Sequence, residues 1–194
     1  MKLDFLKSIR ITLVFCVIFS VFVVILYVFA HTFSPNKGQA EVVTLNGKVV
    51  GADNVGQLFK KDVYFWGRPS AANYQGDASS GSNKGPTNPA YLKDVKCRID
   101  TFLLNHPYLK RSEVPAEMVT ASGSGLDPDI SPESAYVQVK RVAKARGMSE
   151  GKVKAIVDKQ IEKPLLGLFG PAKVNVLKLN VALEQSKPST LSGH

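Results

Sequence analysis

Hydrophobic residues are concentrated in one uninterrupted stretch near the N-terminus. Residues 11–30 contain no charged side chain and are almost all apolar. An α-helix rises about 1.5 Å per residue, so a stretch of this length spans the roughly 30 Å hydrocarbon core of a bilayer. The pattern predicts a short N-terminal segment over 1–10, a transmembrane helix over 11–33 and one domain over 34–194.

The charges that flank this stretch indicate its orientation. The N-terminal segment holds Lys2, Lys7 and Arg10 against a single acid, Asp4, and positive residues in short flanks stay in the cytoplasm. We therefore expect a cytoplasmic N-terminus and a domain on the outer side. A cleaved signal peptide is the alternative, but its apolar core is about 7–15 residues long, so the longer stretch favours an uncleaved anchor.

Helical spacing of apolar residues recurs in three places within the domain. Residues 89–105 carry an apolar face that includes Leu92 and Phe102, and two further helices follow later in the chain. Each helix begins after a residue type that typically caps a helix N-terminus, and Gly147 is placed to close the second. The three capping residues are Asn88, Ser131 and Ser149.

Runs rich in β-branched and aromatic residues are fewer and shorter. They predict strands near 49–50, over 62–66, over 114–121 and over 174–179. The residues after 179 suit either a continued strand or a helix. A few short strands interleaved with helices indicate an α+β domain, in which a small sheet is covered by about three helices.

Two segments rich in turn-forming residues interrupt these elements. Of the 23 residues in 67–89, 14 are Gly, Pro, Ser or Asn, which predicts a long loop of the kind that is often functional. A second loop is predicted over 122–128, where the sequence Ser-Gly-Ser-Gly occurs. A phosphate-binding loop would need Gly-Lys-Ser/Thr at this point, so a tight turn with positive φ at glycine is favoured over a nucleotide site.

Charge and cysteine content narrow the choice of partners. Beyond the anchor, 22 Lys and Arg against 15 Asp and Glu give a net charge of +7. For a domain outside the cell, this positive charge favours binding to lipid headgroups or to an acidic partner surface over binding to nucleic acid. The alternative is a solvated basic surface that binds no partner. Cys16 lies in the anchor and Cys97 in the domain, so no internal disulfide is expected.

Catalytic groupings are not indicated, because the three histidines and Cys97 form no nucleophile–base arrangement by spacing. Asp127 and Asp129 suit either a hard-cation site or an Asx turn that caps backbone N–H groups. Arg68, between Gly67 and a proline, either binds a partner's carboxylates or carbonyls or forms a salt bridge that pins the long loop. The pattern favours a binding or structural role over an enzyme.

Several long blocks of sequence, in the same order, carry a family resemblance. The chain resembles the C subunit of the Kdp-type potassium-transporting ATPases of bacteria over nearly its whole length. It departs from the family pattern at Asp129, at Lys84 and over 169–172. The blocks that carry the resemblance are 64–71, 81–89, 119–128, 130–132, 141–143, 145–146, 174–177 and 179–180.

The resemblance implies a non-catalytic accessory subunit of an ATP-driven potassium importer in the bacterial plasma membrane. Its implied partners are a channel-like potassium-selecting subunit, a P-type ATPase subunit, a small accessory membrane peptide and the lipid bilayer. ATP and potassium would be handled by the partners, with no cofactor on this chain, and any rise in the ATPase subunit's ATP affinity would be allosteric.

We expect the two loops to dock onto the potassium-selecting subunit, because turn residues fix the shape of the backbone. An independent membrane-anchored solute-binding or cation-binding domain, with Asp127 and Asp129 as the site, is the alternative. The candidate interface residues are Arg68, Tyr74, Asn83, Asn88, Ser122, Ser124 and Asp127.

Overall fold

The computed structural model describes residues 2–34 and 36–186, and the chain divides into two compact units, Met1–Glu41 and Val42–His194. In the first unit a single helix, α1 (Lys2–Phe33), covers the predicted apolar stretch. Its segment Phe5–Phe33 is long and apolar enough to cross a membrane, and its side chains are not buried against other protein. This is the pattern of a helix that faces lipid.

Three hydroxyl side chains within α1 form hydrogen bonds to their own helix. The hydroxyls of Thr12, Ser20 and Thr32 each donate to the carbonyl four residues earlier, at 2.9, 2.8 and 2.7 Å. A hydroxyl that bonds to its own helix needs no water or partner chain, which suits a helix in hydrocarbon.

The second unit contains helices and strands mixed along the chain, together with two short 3-10 turns at Arg111–Glu113 and Ala116–Met118. Val42–Leu45 and Lys48–Ala52 form one antiparallel hairpin, and in a separate antiparallel sheet Lys173–Asn175 lies between Asp129–Ile130 and Ile161–Glu162. The predicted α+β class is confirmed. The elements are β1 (Val42–Leu45), β2 (Lys48–Ala52), α2 (Pro89–Asn105), β3 (Asp129–Ile130), α3 (Pro132–Arg146), α4 (Glu150–Gln160), β4 (Ile161–Glu162), β5 (Lys173–Asn175) and α5 (Val176–Gln185).

The predicted helix starts are confirmed by their capping bonds. Asn88 Oδ1 accepts from the N–H of Tyr91 at 3.1 Å at the start of α2. The hydroxyl oxygens of Ser131 and Ser149 accept from backbone N–H groups in the first turns of α3 and α4, at 3.1 and 3.3 Å. Gly147 ends α3 with φ +63°, a left-handed conformation that glycine adopts without strain.

Two predicted strands are replaced by other structure. The strand expected over 114–121 is wrong, because Pro115 lacks the N–H that a ladder needs and instead begins a 3-10 turn. The strand expected over 174–179 ends at Asn175, whose side-chain oxygen accepts from the N–H of Lys178 at 3.0 Å. That bond caps α5, so the chain changes from strand to helix within one residue.

The hydrophobic core of the second unit lies among α3, α4, α5 and the three-stranded sheet. On α2 only Phe102 is buried, while Leu92 of the predicted apolar face is about half exposed. The core therefore depends on the C-terminal half of the chain and on the segment that carries Phe65. Its main buried members are Phe65, Phe102, Met118, Ile130, Ala135, Val142, Val153, Val157, Val174, Leu179 and Leu183.

Candidate partner-docking site

The segment 62–66, which leads into the first long loop, has the composition of a strand but pairs with no strand, so that prediction is wrong. Side-chain amides take the place of a neighbouring strand. The N–H of Phe65 donates to Asn180 Oδ1 at 2.8 Å, and Asn180 Nδ2 donates back to the carbonyl of Phe65 at 3.0 Å. The buried backbone groups are thus satisfied without a ladder.

The backbone of Trp66 is held in the same way by a side chain of α3. Its N–H donates to Gln138 Oε1 at 2.8 Å, and Gln138 Nε2 donates to its carbonyl at 3.1 Å. Both amide side chains are buried, Asn180 on α5 and Gln138 on α3. We call these two reciprocal pairs the amide clamps. Together they fix the position from which the loop begins at Gly67.

A buried arginine completes the support beneath this segment. Arg141 of α3 donates through Nη1 to the carbonyl of Asp62 at 2.7 Å and through Nη2 to the carbonyl of Tyr64 at 3.1 Å. Its guanidinium lies 4.1 Å from the centre of the Trp66 ring, a cation–π contact. Burial lowers the pKa of Arg141 to about 10, so the side chain is still charged at neutral pH.

His106 is the partner of Arg141 that the sequence did not reveal. Arg141 Nε donates to His106 Nε2 at 2.9 Å, and His106 Nδ1 lies 2.8 Å from the carbonyl of Phe102. Burial lowers the pKa of His106 to about 4, so the ring is neutral at physiological pH, with Nδ1 as the donor and Nε2 as the acceptor. Its position beside Pro107 after a helix gave no signal of a contact 35 residues away.

The two predicted loops lie against each other and are joined by backbone bonds. We call residues 67–88 loop A and residues 122–128 loop B; no helix or strand occurs in loop A, as predicted. The N–H of Ser122 donates to the carbonyl of Pro69 at 3.2 Å. The N–H of Ser80 donates to the carbonyl of Ser124 at 2.9 Å, and the Ser79 hydroxyl donates to the same oxygen at 3.0 Å.

Ser70 links the two loops through its hydroxyl. It donates to the carbonyl of Gly125 in loop B and accepts from the N–H groups of Ala72 and Tyr74 in loop A, at 2.5, 3.0 and 2.9 Å. Gly125 has φ +69°, which confirms the predicted positive-φ turn. A Cβ at this position would lie 2.6 Å from the carbonyl oxygen of Ser80, so the close contact requires glycine for space as well as for conformation.

Arg68 joins the loops by a salt bridge. Its Nη1 lies 2.9 Å from Asp127 Oδ2, and both side chains are less than one-third exposed. The Tyr74 hydroxyl donates to the carbonyl of Arg68 at 2.6 Å, and burial raises the pKa of Tyr74. This geometry supports the interpretation in which Arg68 pins the loop.

The two aspartates of loop B and its exit are used by the protein itself. Asp127 Oδ1 accepts from the N–H of Asp129 at 3.1 Å, which is the predicted Asx turn. Asp129 Oδ2 lies 2.7 Å from Lys173 Nζ. Within residues 2–34 and 36–186, the structure shows no group of three or more His, Cys, Asp or Glu residues placed to hold a metal ion.

Contacts within or between the two loops join five of the seven candidate residues, and the other two have different roles. Asn88 serves as the cap of α2, and Asn83 stands exposed in loop A with φ +51°. Together, loops A and B form one surface with a fixed backbone and an exposed outer side, which we call the paired loops. The five residues brought together are Arg68, Tyr74, Ser122, Ser124 and Asp127.

Comparison with known proteins places this architecture in a family. The family described as K+-transporting ATPase, c chain, matches residues 5–185. The Potassium-transporting ATPase KdpC subunit of Bacteroides thetaiotaomicron is 68% identical over 184 residues, which are 93% of this chain and 97% of that protein. Proteins with the same name are 54% identical in Flavobacterium psychrophilum and 46% identical in Caldanaerobacter subterraneus subsp. tengcongensis, each over 178 residues.

Those two alignments cover 92% and 91% of this chain and 96% and 92% of the respective relatives. The family match over residues 5–185 includes the apolar helix, the paired loops and the helix α5 that carries Asn180, rather than one short motif. On this evidence, the chain belongs to the K+-transporting ATPase c chain family.

Proposed function

We propose that this chain is a non-catalytic accessory subunit of an ATP-driven potassium importer, which it anchors and stabilises. Its partners in this proposal are a channel-like potassium-selecting subunit, a P-type ATPase subunit and a small accessory membrane peptide. ATP and potassium are handled by those chains. Any effect of this subunit on the ATP affinity of the ATPase subunit passes through the partners as a coupling between sites.

The paired loops are the observation that carries the proposal. Their backbone N–H and C=O groups bond to each other across the two loops, and the amide clamps hold the entry to loop A. A surface whose shape is set before binding loses little conformational entropy when a partner docks. That property suits a fitted protein interface, and we assign the potassium-selecting subunit as the partner that docks there.

The proposed orientation follows from the charges at the ends of α1. The basic N-terminal segment stays in the cytoplasm, so the second unit lies on the outer side of the plasma membrane. From that side the domain has no access to cytoplasmic nucleotide. An allosteric route is therefore the one consistent with this orientation for an influence on ATP binding.

An exposed residue of loop A provides the test. Asn83 is solvent-exposed and adopts φ +51°, so Asn83→Arg places bulk and charge on the outer side of the paired loops without removing a core contact. We expect the variant to co-purify with the potassium-selecting subunit at least about tenfold less well, because an unpaired charge buried in an interface is costly. The measurement is subunit recovery after detergent extraction.

The chain offers a closely matched control. Asn46 is also exposed and has φ +52°, but it lies in the turn of the β1–β2 hairpin. Asn46→Arg therefore introduces the same side chain at the same backbone conformation outside the paired loops. Full recovery of the Asn46 variant with loss of the Asn83 variant supports docking by the paired loops, whereas equal recovery of both would refute it.

A further inference from the structure

The connection between β4 and β5 exposes four large apolar side chains side by side. Residues 164–171 read Pro-Leu-Leu-Gly-Leu-Phe-Gly-Pro, and we call this segment the apolar tip. The surfaces of soluble proteins rarely expose such an apolar group unless it contacts another protein or a membrane. The exposed fractions are 70% for Leu165, 81% for Leu166, 81% for Leu168 and 63% for Phe169.

The backbone of the apolar tip satisfies most of its own hydrogen bonds. The N–H groups of Leu165 and Phe169 each donate to the other's carbonyl at 3.0 Å. Gly167 donates to Pro164 at 2.9 Å and Leu168 donates to Leu165 at 3.1 Å, so four of the six N–H groups in the segment bond within it. A lipid phase requires such internal pairing, whereas a protein partner can supply the missing bonds itself.

The conformation of the apolar tip is unfavourable for a loop that remains in water. Leu166 has φ +55°, a left-handed conformation that is energetically unfavourable for residues with a Cβ. Leu166 and Leu168 are also equally the most exposed of the four side chains. Backbone strain and exposed apolar area thus both oppose leucine here in water, and transfer of the side chain to an apolar phase offsets them.

The surroundings of the apolar tip are suited to a membrane surface. Lys159 and Lys163 are exposed on its N-terminal side, and leucine or phenylalanine next to lysine is the usual composition of segments that bind the bilayer interface. The chain also carries its own membrane span. Eight residues, 34–41, join that span to β1.

We propose that the apolar tip inserts into the headgroup and upper acyl region of the bilayer that holds α1, and that Lys159 and Lys163 contact anionic phosphate groups there. This gives the domain a second, reversible attachment to lipid. The attachment is separate from the paired loops and does not depend on the partner assigned to them.

A fluorescent label at the apolar tip tests this directly. The full chain carrying Leu166→Cys, in a background of Cys16→Ser and Cys97→Ser, is labelled with an environment-sensitive dye. It is then reconstituted into vesicles of phosphatidylcholine and phosphatidylglycerol. We expect blue-shifted emission and quenching at least about twofold stronger by a nitroxide high on the acyl chain than by one near the bilayer centre, as shallow insertion requires.

Leu104→Cys supplies the control, because Leu104 is 80% exposed but lies on α2. Its label should emit as in water and should not be quenched by either lipid. If the Leu166 label behaves like the Leu104 label, the proposal is overturned. It is also overturned if the Leu166 label is shielded only in membranes that contain other transporter subunits, since that would identify a protein surface as the occupant.

Discussion

At the scale of single residues, the domain depends on buried polar side chains that each make several bonds. Arg141 donates to two backbone carbonyls, to Gln138 Oε1 and to His106 Nε2. Removal of Arg141 would leave the buried His106 Nε2 without the donor it has in the structure, which is costly in protein interiors. His106 accepts from Arg141 only while its ring is neutral, so protonation of the ring removes this bond and places a second positive charge beside the guanidinium.

Protonation of His106 makes stability depend on pH. The pKa is about 4 in the folded chain and about 6.5 in the unfolded chain, so the unfolded state binds more protons between these values. Stability is complete above pH 6.5 and falls as pH drops towards 4, by about 3 kcal/mol in all. Urea unfolding in detergent, followed by the fluorescence of Trp66, measures the change.

His106→Gln is the control for this pH dependence, because glutamine keeps an acceptor near Arg141 but does not titrate. The variant should be less stable at neutral pH and should lose the part of the slope between pH 6.5 and 4 that the imidazole contributes. An unchanged slope would show that other groups cause the pH dependence.

At the scale of elements, the sequence predicted what is decided locally. The helix caps at Asn88, Ser131 and Ser149 bond to N–H groups three residues away, so residue type and spacing were sufficient to find them. Both loops were also predicted, since turn-forming residues act on their own backbone. Asn88 was predicted both as a cap and as an interface residue, and the fold shows it as the cap of α2. The exposure of Asn83 is visible only in the fold.

Structure that depends on distant partners was not predictable in this way. Segment 62–66 has the composition of a strand, but its backbone bonds to amides that lie 115 and 72 residues further along the chain. The pairing of Ser70 with Gly125 spans 55 residues. No periodicity in a single sequence encodes such contacts. The residues of the site could therefore be predicted from the sequence, but the contacts that bring them together could not.

The pairing of the two loops depends on space at Gly125. Gly125 and Gly147 have φ +69° and +63°, but a Cβ at Gly147 meets nothing within 4 Å. Alanine at either position should cost about 1 kcal/mol in backbone strain. Gly125→Ala should in addition displace loop A, because its Cβ would lie 2.6 Å from the Ser80 oxygen.

Amide hydrogen exchange separates these two effects. The N–H of Ser80 donates across the loops to Ser124, so its exchange should be faster by about tenfold or more in Gly125→Ala. In Gly147→Ala it should be unchanged. Equal protection of this amide in both variants would contradict the role assigned to Gly125.

At the scale of the whole molecule, the chain joins an apolar helix to a domain with a core of its own. The core residues lie between Phe65 and Leu183, entirely within the second unit. Anchoring and folding are therefore carried by different parts of the sequence. The charges beside α1 then decide on which side of the membrane the folded domain is found.

The side of the membrane on which the domain lies can be tested by labelling introduced cysteines in intact cells. Leu104 is 80% exposed on α2, outside the paired loops. Leu104→Cys, in a background of Cys16→Ser and Cys97→Ser, should react with a membrane-impermeant maleimide while the plasma membrane is sealed. A cysteine at Lys7, in the basic N-terminal segment, should react only after the membrane is opened. The reverse pattern would place the domain in the cytoplasm.

The amide clamp on Phe65 has a consequence for biosynthesis. Asn180, which supplies it, lies 115 residues later on α5, so the ribosome must synthesise those residues before the entry to loop A is fixed in place. A chain released before that point would keep α1 and would still reach the membrane. Its paired loops, however, would not be fixed in the shape that docking requires. Under the proposed function, such fragments are rejected from the transporter without any dedicated inspection step.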